Sequence, residues 1–132
     1  MAEEKGKGKQ KPLTRKDVLR LIKENGGTAQ GLNLSECRFE DKVNLSDLVL
    51  SGIELNNARL FRANLNGSNL DWADLHNANL EYATFNPLES RSAPLNGADL
   101  RGAHLENAEF RKADLDVAQF QGGLTIRLGA MY

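Results

Sequence analysis

The side chains best suited to chemistry are few, and they are not spaced for it. The two histidines, His76 and His104, form no His-x-x-x-His pair or other common metal-ligand spacing. The single Cys37 excludes a disulfide within the chain and any site built from several cysteines. No serine has a nucleophile-elbow context, and the Gly/Lys run at 6–9 lacks the pattern of a phosphate-binding loop. We therefore expect no catalytic residue, no metal ligand and no cofactor.

Acidic residues are more numerous, but their spacing follows a repeat of five residues. From residue 45 to residue 120 every fifth residue is Leu or Phe, with Ser90 as the one exception. The residue two places earlier is usually Ala, and the residue between them is commonly Asp or Asn. The Asp and Glu residues beside the Leu positions are therefore explained by the repeat and do not indicate catalytic acids. Paired carboxylates would also need a pocket, which a filled interior lacks.

The period of five fits neither an α-helix nor a flat strand, which have periods of 3.6 and 2. It requires a short extended step followed by a corner, and Asn, Asp and Gly are the residues that tolerate corners. Stacked coils of this kind pair their backbones at about 4.8 Å. Their interior must be narrow, because Ala and Leu dominate and aromatic residues make up only 6% of the chain.

These units resemble those of the pentapeptide-repeat family. Residues 63–65 and 98–100, Ala-Asn-Leu and Ala-Asp-Leu, are two of many matching units between residues 32 and 120. The resemblance implies an all-β fold, a right-handed quadrilateral β-helix of about four to five coils with four pentapeptides per coil. It also implies that the Leu/Phe residue and the small residue both point inward, where Cys37 would serve as a small apolar filler.

The first units depart from this pattern. Phe39 and Leu45 are six residues apart, so one residue is inserted near Asp41 and Lys42, which we place at a corner. The small position is also occupied by residues larger than Ala, which indicates a wider tube end or a core shared with another element. These residues are Leu32, Cys37, Val43, Leu48 and Ile53.

The segment before the repeat predicts a disordered basic tail at 1–12 and a capping helix at 13–27. Thr14 is the expected N-cap with Asp17 three residues later, and Gly26–Gly27 ends the helix. An open β-helix end exposes unpaired backbone, so we expect the apolar stripe of the helix to cover it; a partner-binding helix is the alternative. That stripe comprises Val18, Leu19, Leu21 and Ile22.

Two later segments also depart from the repeat. Residues 86–94 keep the five-residue phase but not the residue types, which predicts a bulge along one side, either merely tolerated or used for partner contacts. Residues 121–132 contain an alternation of Leu124, Ile126 and Leu128 that predicts a C-terminal strand or cap. Such a strand offers an edge to a second copy, so a homodimer is our hypothesis.

Aromatic residues at outward positions are candidates for an interaction surface. Exposed aromatic and Arg side chains are enriched in binding hot spots, although shielding by a neighbouring side chain is the alternative. With four pentapeptides per coil, Arg62 would lie directly under Tyr82 as a cation–π pair. The candidate surface comprises Phe61, Arg62, Trp72, Tyr82, Leu88, Glu89 and Arg91.

We therefore predict a non-enzymatic structural or protein-interaction module with an unknown protein partner, in the cytoplasm and without membrane contact. Nucleic acid contact is expected only weakly, from the Lys-rich tail. An alternative comes from the resemblance, because some members bind DNA gyrase by mimicking duplex DNA. Mimicry of DNA would need regular rows of carboxylates, and stacking this sequence in regular coils of four pentapeptides gives this alternative little support. Such coils predict one largely acidic column, Glu54, Asp74, Pro94 and Asp114, and one mixed column, Ser51, Asp71, Arg91 and Arg111.

Overall fold

A computed structural model describes residues 11–88 and 93–110, where the backbone forms stacked coils. Single-residue parallel bridges join each coil to the next, as in Asn44 with Asn64 and Asn64 with Thr84. The amide of Asn64 donates to the Val43 carbonyl (2.9 Å), and the amide of Leu65 donates to the Thr84 carbonyl (2.8 Å). Each step is thus bonded to the coil before it and the coil after it.

The bridges form four ladders, which we call faces 1 to 4. Face 1 is Asn33, Glu54, Asp74 and Asp99; face 2 is Arg38, Arg59, Asn79 and His104; face 3 is Asn44, Asn64, Thr84 and Glu109; face 4 is Val49 and Asn69. The amide of Leu70 donates to the Pro94 carbonyl (2.9 Å), which continues face 4. A regular coil therefore consists of four pentapeptide units, one for each face.

The length of the coil is not constant. The coil that joins Asn33 to Glu54 contains four units and one added residue, whereas the coil that joins Asn44 to Asn64, after the corner at Asp41–Lys42, contains four units alone. The predicted one-residue insertion at this corner is therefore confirmed. Because a turn can accommodate an added residue, the insertion leaves the inward pattern of the faces intact.

A larger departure follows residue 84, where the coil takes in a fifth unit. Asp74 is bridged to Asp99, and Thr84 is bridged to Glu109. The two columns expected from a constant four units per coil are therefore wrong beyond this point: Asp74 does not pair with Pro94. Likewise Asp71 lies beneath Asn96, whose amide donates to its Oδ1 (2.8 Å), and not beneath Arg91.

The sequence of the extra unit gives the physical reason. Residues 88–92 read Leu-Glu-Ser-Arg-Ser, where the repeat requires a small residue, a polar residue and then Leu. In a regular coil Leu88 would fill the narrow position and Ser90 would replace an inward Leu. The coil that takes in one more unit leaves Leu88 39% exposed and preserves the phase of the repeat.

The interior is filled by the two predicted ladders. All described Leu and Phe residues from Leu45 to Phe110 at the fifth positions are buried, as are the Ala residues two places before them. Ser68 replaces Ala on this ladder, and its hydroxyl donates to the Leu65 carbonyl (2.7 Å). Cys37 is fully buried, as expected for a filler. The rings of Phe85 and Phe110 stack with centroids 4.6 Å apart.

The Asn or Asp residue between the two ladders has a structural role at several corners. Oδ1 of Asn64 accepts a hydrogen bond from the amide of Asn66 (3.0 Å), which satisfies a donor in the turn. The same bond to the amide two residues later recurs at six other positions, namely Asn33, Asn44, Asn69, Asp74, Asn79 and Asp99. These side chains are therefore explained by the architecture.

The one helix of the described residues, α1 (Arg15–Glu24), begins at the predicted cap. The amide of Asp17 donates to Oγ1 of Thr14 (3.2 Å) and the amide of Thr14 donates to Oδ2 of Asp17 (2.9 Å), so the capping box is confirmed. Leu13 precedes the helix and is bridged to Phe39. This helix is not long and apolar enough to cross a membrane.

The buried side of α1 is narrower than predicted. Val18 and Leu21 are buried in the common core and Ile22 packs against it, whereas Leu19 is 45% exposed. The expectation that Leu19 belongs to the apolar stripe is therefore wrong, because it faces away from the coils. Arg15 ties the helix to face 3, donating to the Asn44 carbonyl (3.0 Å).

Candidate functional site

The second residue of each regular corner has a left-handed backbone, which restricts the residues that fit there. At the corner 60–63 the Ala63 amide donates to the Leu60 carbonyl (3.0 Å), and Arg62 between them has φ +63°. Gly and Asn adopt this conformation readily, and other L-residues do so at a cost of about 1–2 kcal/mol. Most of the later corners carry Gly or Asn at this position, namely Gly52, Asn57, Gly67, Asn77, Gly97, Gly102 and Asn107.

Glu36 and Lys42 occupy such positions in the first coils, and three large side chains do so in the later ones. Arg62, Trp72 and Tyr82 have φ of +63°, +63° and +62°. Trp72 is 70% exposed and Tyr82 is 49% exposed, so burial does not explain their presence. The sequence predicted these three residues as surface candidates, and the backbone adds that their positions are costly.

Two of the three meet at the corner between faces 2 and 3, which we call the aromatic corner (Phe61, Arg62 and Tyr82). The Phe61 and Tyr82 rings pack edge to face with centroids 5.7 Å apart. The Arg62 guanidinium carbon lies 5.5 Å from the Phe61 centroid, and its Nη1 lies 3.9 Å from Oδ2 of Asp41. Arg62 does lie one coil below Tyr82, but its cation–π contact is with Phe61.

Trp72 is separate from the aromatic corner. It lies two units, half a coil, from both Arg62 and Tyr82, which places it at the diagonally opposite corner between faces 4 and 1. Its indole lies over Gly97 of the next coil, where an added methyl group would overlap the ring. The expectation that Phe61, Trp72 and Tyr82 share one surface is therefore wrong, since the coil turns between them.

The remaining candidates lie at or beyond the extra unit. Leu88 is 39% exposed and its side chain covers Gly67 of the preceding coil. Glu89 and Arg91 lie outside the described residues, as do most of the basic tail and the predicted strand with Leu124, Ile126 and Leu128.

Each histidine lies beside two carboxylates contributed by two adjoining coils. His76 is grouped with Asp74 and Asp99, and its Nδ1 lies 2.5 Å from Oδ1 of Asp74. Arg101 completes this group through two bonds to Asp99, from Nε to Oδ1 (2.9 Å) and from Nη2 to Oδ2 (2.7 Å). The Arg101 side chain lowers the pKa of Asp99 below its usual value, so the carboxylate is held in its charged form.

The second group, Glu81, His104 and Glu106, is built in a related way. Its ligand atoms all lie within 4.8 Å of one another. His104 is bridged to Asn79 on face 2, and the amide of Tyr82 donates to the Glu106 carbonyl (3.0 Å). The backbone thus fixes the positions of Glu81 and Glu106 in adjoining coils. This group adjoins the aromatic corner, because Glu81 and Tyr82 are consecutive.

Sequence reasoning overlooked these groups because it searched for ligands close together in the chain. His104 and Glu106 are neighbours on one coil, but Glu81 reaches them only because the coil between them contains five units. The irregular unit 88–92 was the available signal, since it fails the repeat and thereby lengthens the coil.

Comparison with known proteins agrees with this architecture. The sequence pattern of the family described as Pentapeptide repeats matches residues 42–77, 53–86 and 93–123, with 8 copies, and so covers more than half of the chain. No curated protein matches the chain significantly.

Several solved structures are similar to this chain. A pentapeptide repeat protein, Rfr23, from the cyanobacterium Cyanothece 51142 is 27% identical over 73% of this chain, with a TM-score of 0.37. This chain spans 57% of the length of Rfr23. A pentapeptide repeat protein, alr5209, from Nostoc Pcc 7120 is 33% identical over 84% of this chain and 79% of its own, with a TM-score of 0.39. One from the thylakoid lumen of Arabidopsis thaliana is 18% identical over 77% of this chain and 70% of its own, with a TM-score of 0.28.

These TM-scores are below 0.5, so the family assignment rests on the sequence repeats. Pentapeptide-repeat proteins fold as right-handed β-helices and generally act as structural or interaction modules. On the repeats that match from residue 42 to residue 123, this chain belongs to the pentapeptide-repeat family.

Proposed function

We propose that this chain is a non-enzymatic protein-interaction module that binds a protein partner through the aromatic corner. The observation that carries the proposal is the exposure of Tyr82 (49%) and Phe61 (39%) beside Arg62. Tyr and Arg are among the residues most enriched in binding hot spots. Together they provide apolar area, a phenol hydroxyl and a cation on one corner of a rigid coil.

The backbone supports the same proposal. Arg62 and Tyr82 occupy left-handed corner positions at a cost of about 1–2 kcal/mol each, where Asn or Gly would avoid that cost. Each of them contacts the Phe61 ring, but both retain substantial exposure. Exposed Glu36, Lys42 and Trp72 also occupy left-handed corners, so the proposal rests on the combination of two rings and a cation at the aromatic corner and not on the backbone cost alone.

We also propose that α1 caps the open end of the coils. Val18 and Leu21 share the core with the large residues of the first units, such as Ile53. The backbone of Leu13 extends this cover, since its amide donates to the Arg38 carbonyl (2.9 Å). A buried helix face is not available to a partner, which favours capping over the alternative of a partner-binding helix.

Mimicry of DNA receives less support from the charges. Face 1 carries Glu54, Asp74 and Asp99, but Arg101 is paired with the last of these. Face 2 carries two arginines in succession and so breaks the acidic surface. We therefore place gyrase binding below interaction through the aromatic corner.

The test uses substitutions that suit the left-handed backbone. Tyr82→Asn and Arg62→Asn place at these corners the residue already found at Asn57 and Asn77, so the fold should be retained. Cross-linking followed by affinity capture from the native host should recover a partner with the unaltered chain and lose it with the double variant. Trp72→Asn, at the diagonally opposite corner, is the matched control and should keep the partner. Equal recovery by all three proteins would refute the proposal.

A further inference from the structure

We propose that Glu81, His104 and Glu106 form a binding site for a divalent first-row transition metal ion, of which Zn²⁺ is the most useful probe. The three ligand atoms, one imidazole nitrogen and two carboxylate oxygens, lie within 4.8 Å of one another. Imidazole and carboxylate together are a ligand set used for such ions, and Zn²⁺ is commonly bound by three protein ligands with water in the fourth position.

The site is preorganised by the backbone. His104 is bridged to Asn79 through face 2, and its amide donates to the Ala78 carbonyl (2.9 Å). Glu106 follows in the same coil, and its carbonyl accepts from the amide of Tyr82 (3.0 Å). Only side-chain rotations are then needed to bring the three ligand atoms onto one ion, so little backbone ordering is required on binding.

The charge of the group also favours a cation. Two carboxylates lie close together, and within the described part of the chain no Lys or Arg side chain forms an ion pair with either. Arg62, at the same corner one coil before Glu81, is directed to Asp41 and the Phe61 ring. Repulsion between like charges at this distance would be relieved by a bound cation.

The group around His76 provides an internal comparison. It has the same kinds of ligand, but Arg101 already forms two bonds to Asp99 and His76 is bonded to Asp74. Its acceptors are therefore used by donors of the chain itself. We expect the two histidines to differ in metal binding although each is grouped with two carboxylates.

This difference makes the chain its own control in a nuclear magnetic resonance titration. The chain has only two histidines, so the imidazole Cε1–Hε1 spectrum of untagged protein contains two signals. Equimolar Zn²⁺ should shift or broaden the His104 signal and leave the His76 signal in place. No change at His104, or equal changes at both signals, would overturn the proposal.

Calorimetric titration of Zn²⁺ into variants tests the ligands separately. Loss of an outer-shell partner of a metal ligand costs about 10–100-fold in affinity, so His104→Gln and Glu106→Gln should each weaken binding at least that much. His76→Gln should bind Zn²⁺ as the unaltered chain does. His104 and Glu106 are exposed, so their substitution should leave the unfolding midpoint unchanged. Equal affinity in His104→Gln and His76→Gln would refute the assigned ligands.

Competition distinguishes an imidazole site from a general acidic surface. Ca²⁺ prefers oxygen ligands, six to eight in number, so a severalfold excess should not displace Zn²⁺ from this group. Displacement by Ca²⁺ would overturn the role assigned to His104. The site adjoins the aromatic corner, but its test does not depend on whether that corner binds a partner.

Discussion

The contact between Trp72 and Gly97 gives the sharpest test of how corners are built across coils. The change is Gly97→Ala, and the matched control is Gly31→Ala. Gly97 and Gly31 have φ of +71° and +73°, so the backbone cost of Ala should be the same at both. A methyl group at Gly31 would meet no atom within 4 Å, whereas at Gly97 it would overlap the indole of Trp72. Only the second substitution should therefore disturb a neighbouring coil.

The expected losses in the free energy of unfolding follow from the backbone cost of Ala and from its overlap with the Trp72 ring. A left-handed Ala costs about 1–2 kcal/mol, and replacing Gly recovers about 0.4–1 kcal/mol through the unfolded chain. Gly31→Ala should therefore lower the free energy of unfolding by about 1 kcal/mol. Overpacking adds about 1–3 kcal/mol, and the lower end applies at Gly97 because the Trp72 ring is 70% exposed and can rotate into solvent. Gly97→Ala should therefore cost about 2 kcal/mol.

Urea unfolding followed by far-ultraviolet circular dichroism measures these values without relying on the only tryptophan. In the background of Trp72→Ala, Gly97→Ala should cost no more than Gly31→Ala, which gives a coupling of about 1 kcal/mol between the two positions. An extra cost at Gly97 that persists without Trp72 would refute the contact. So would equal costs of Gly97→Ala and Gly31→Ala in the unaltered chain.

Two further predictions concern hydrogen bonds at the helix and at the corners. The backbone bond from Thr14 lowers the pKa of Asp17, so its contribution to stability is present above the unfolded pKa of about 3.9 and is lost as the pH falls through the lower folded pKa. Asp17→Asn should remove that part of the pH dependence of unfolding, and an unchanged acid profile would contradict it. Asn64→Ala should cost about 0.5–1.5 kcal/mol in urea unfolding because the amide of Asn66 loses its acceptor, whereas Asn64→Asp keeps an acceptor and should cost less. Equal losses in the two Asn64 variants would count against this role.

The core was predictable from the sequence because each position in it is fixed by the repeat. The inward Leu and Ala ladders, the insertion at Asp41–Lys42 and the capping box at Thr14 all depend on residues close in the chain or on the phase. Leu19 was misassigned because the apolar pattern of so short a helix does not determine which side faces the coils. The helix places that residue on the outside.

The surface was harder to predict because it depends on which residues meet between coils. A constant four units per coil gave the correct neighbours for Arg62 and Tyr82, but wrong neighbours for Asp74. The pattern of core residues does not reveal this error, because shifting the pairing of two coils by a whole unit still leaves the Leu positions inside. Only residues 88–92 indicated that the coil contains a fifth unit, because their residue types do not match the repeat.

The coil of five units has a consequence for folding. Because the units are nearly interchangeable, a chain that pairs Asp74 with Pro94 would bury almost the same apolar area as one that pairs it with Asp99. Such slipped states are compact and close in energy, so they are candidates for kinetic traps during folding. The features that distinguish the correct pairing are the irregular ones: the inserted residue near Asp41, the cap formed by α1 and the unit that cannot enter a regular coil. The departures from the repeat thus direct the search for the native pairing, while the repeat itself supplies most of the burial.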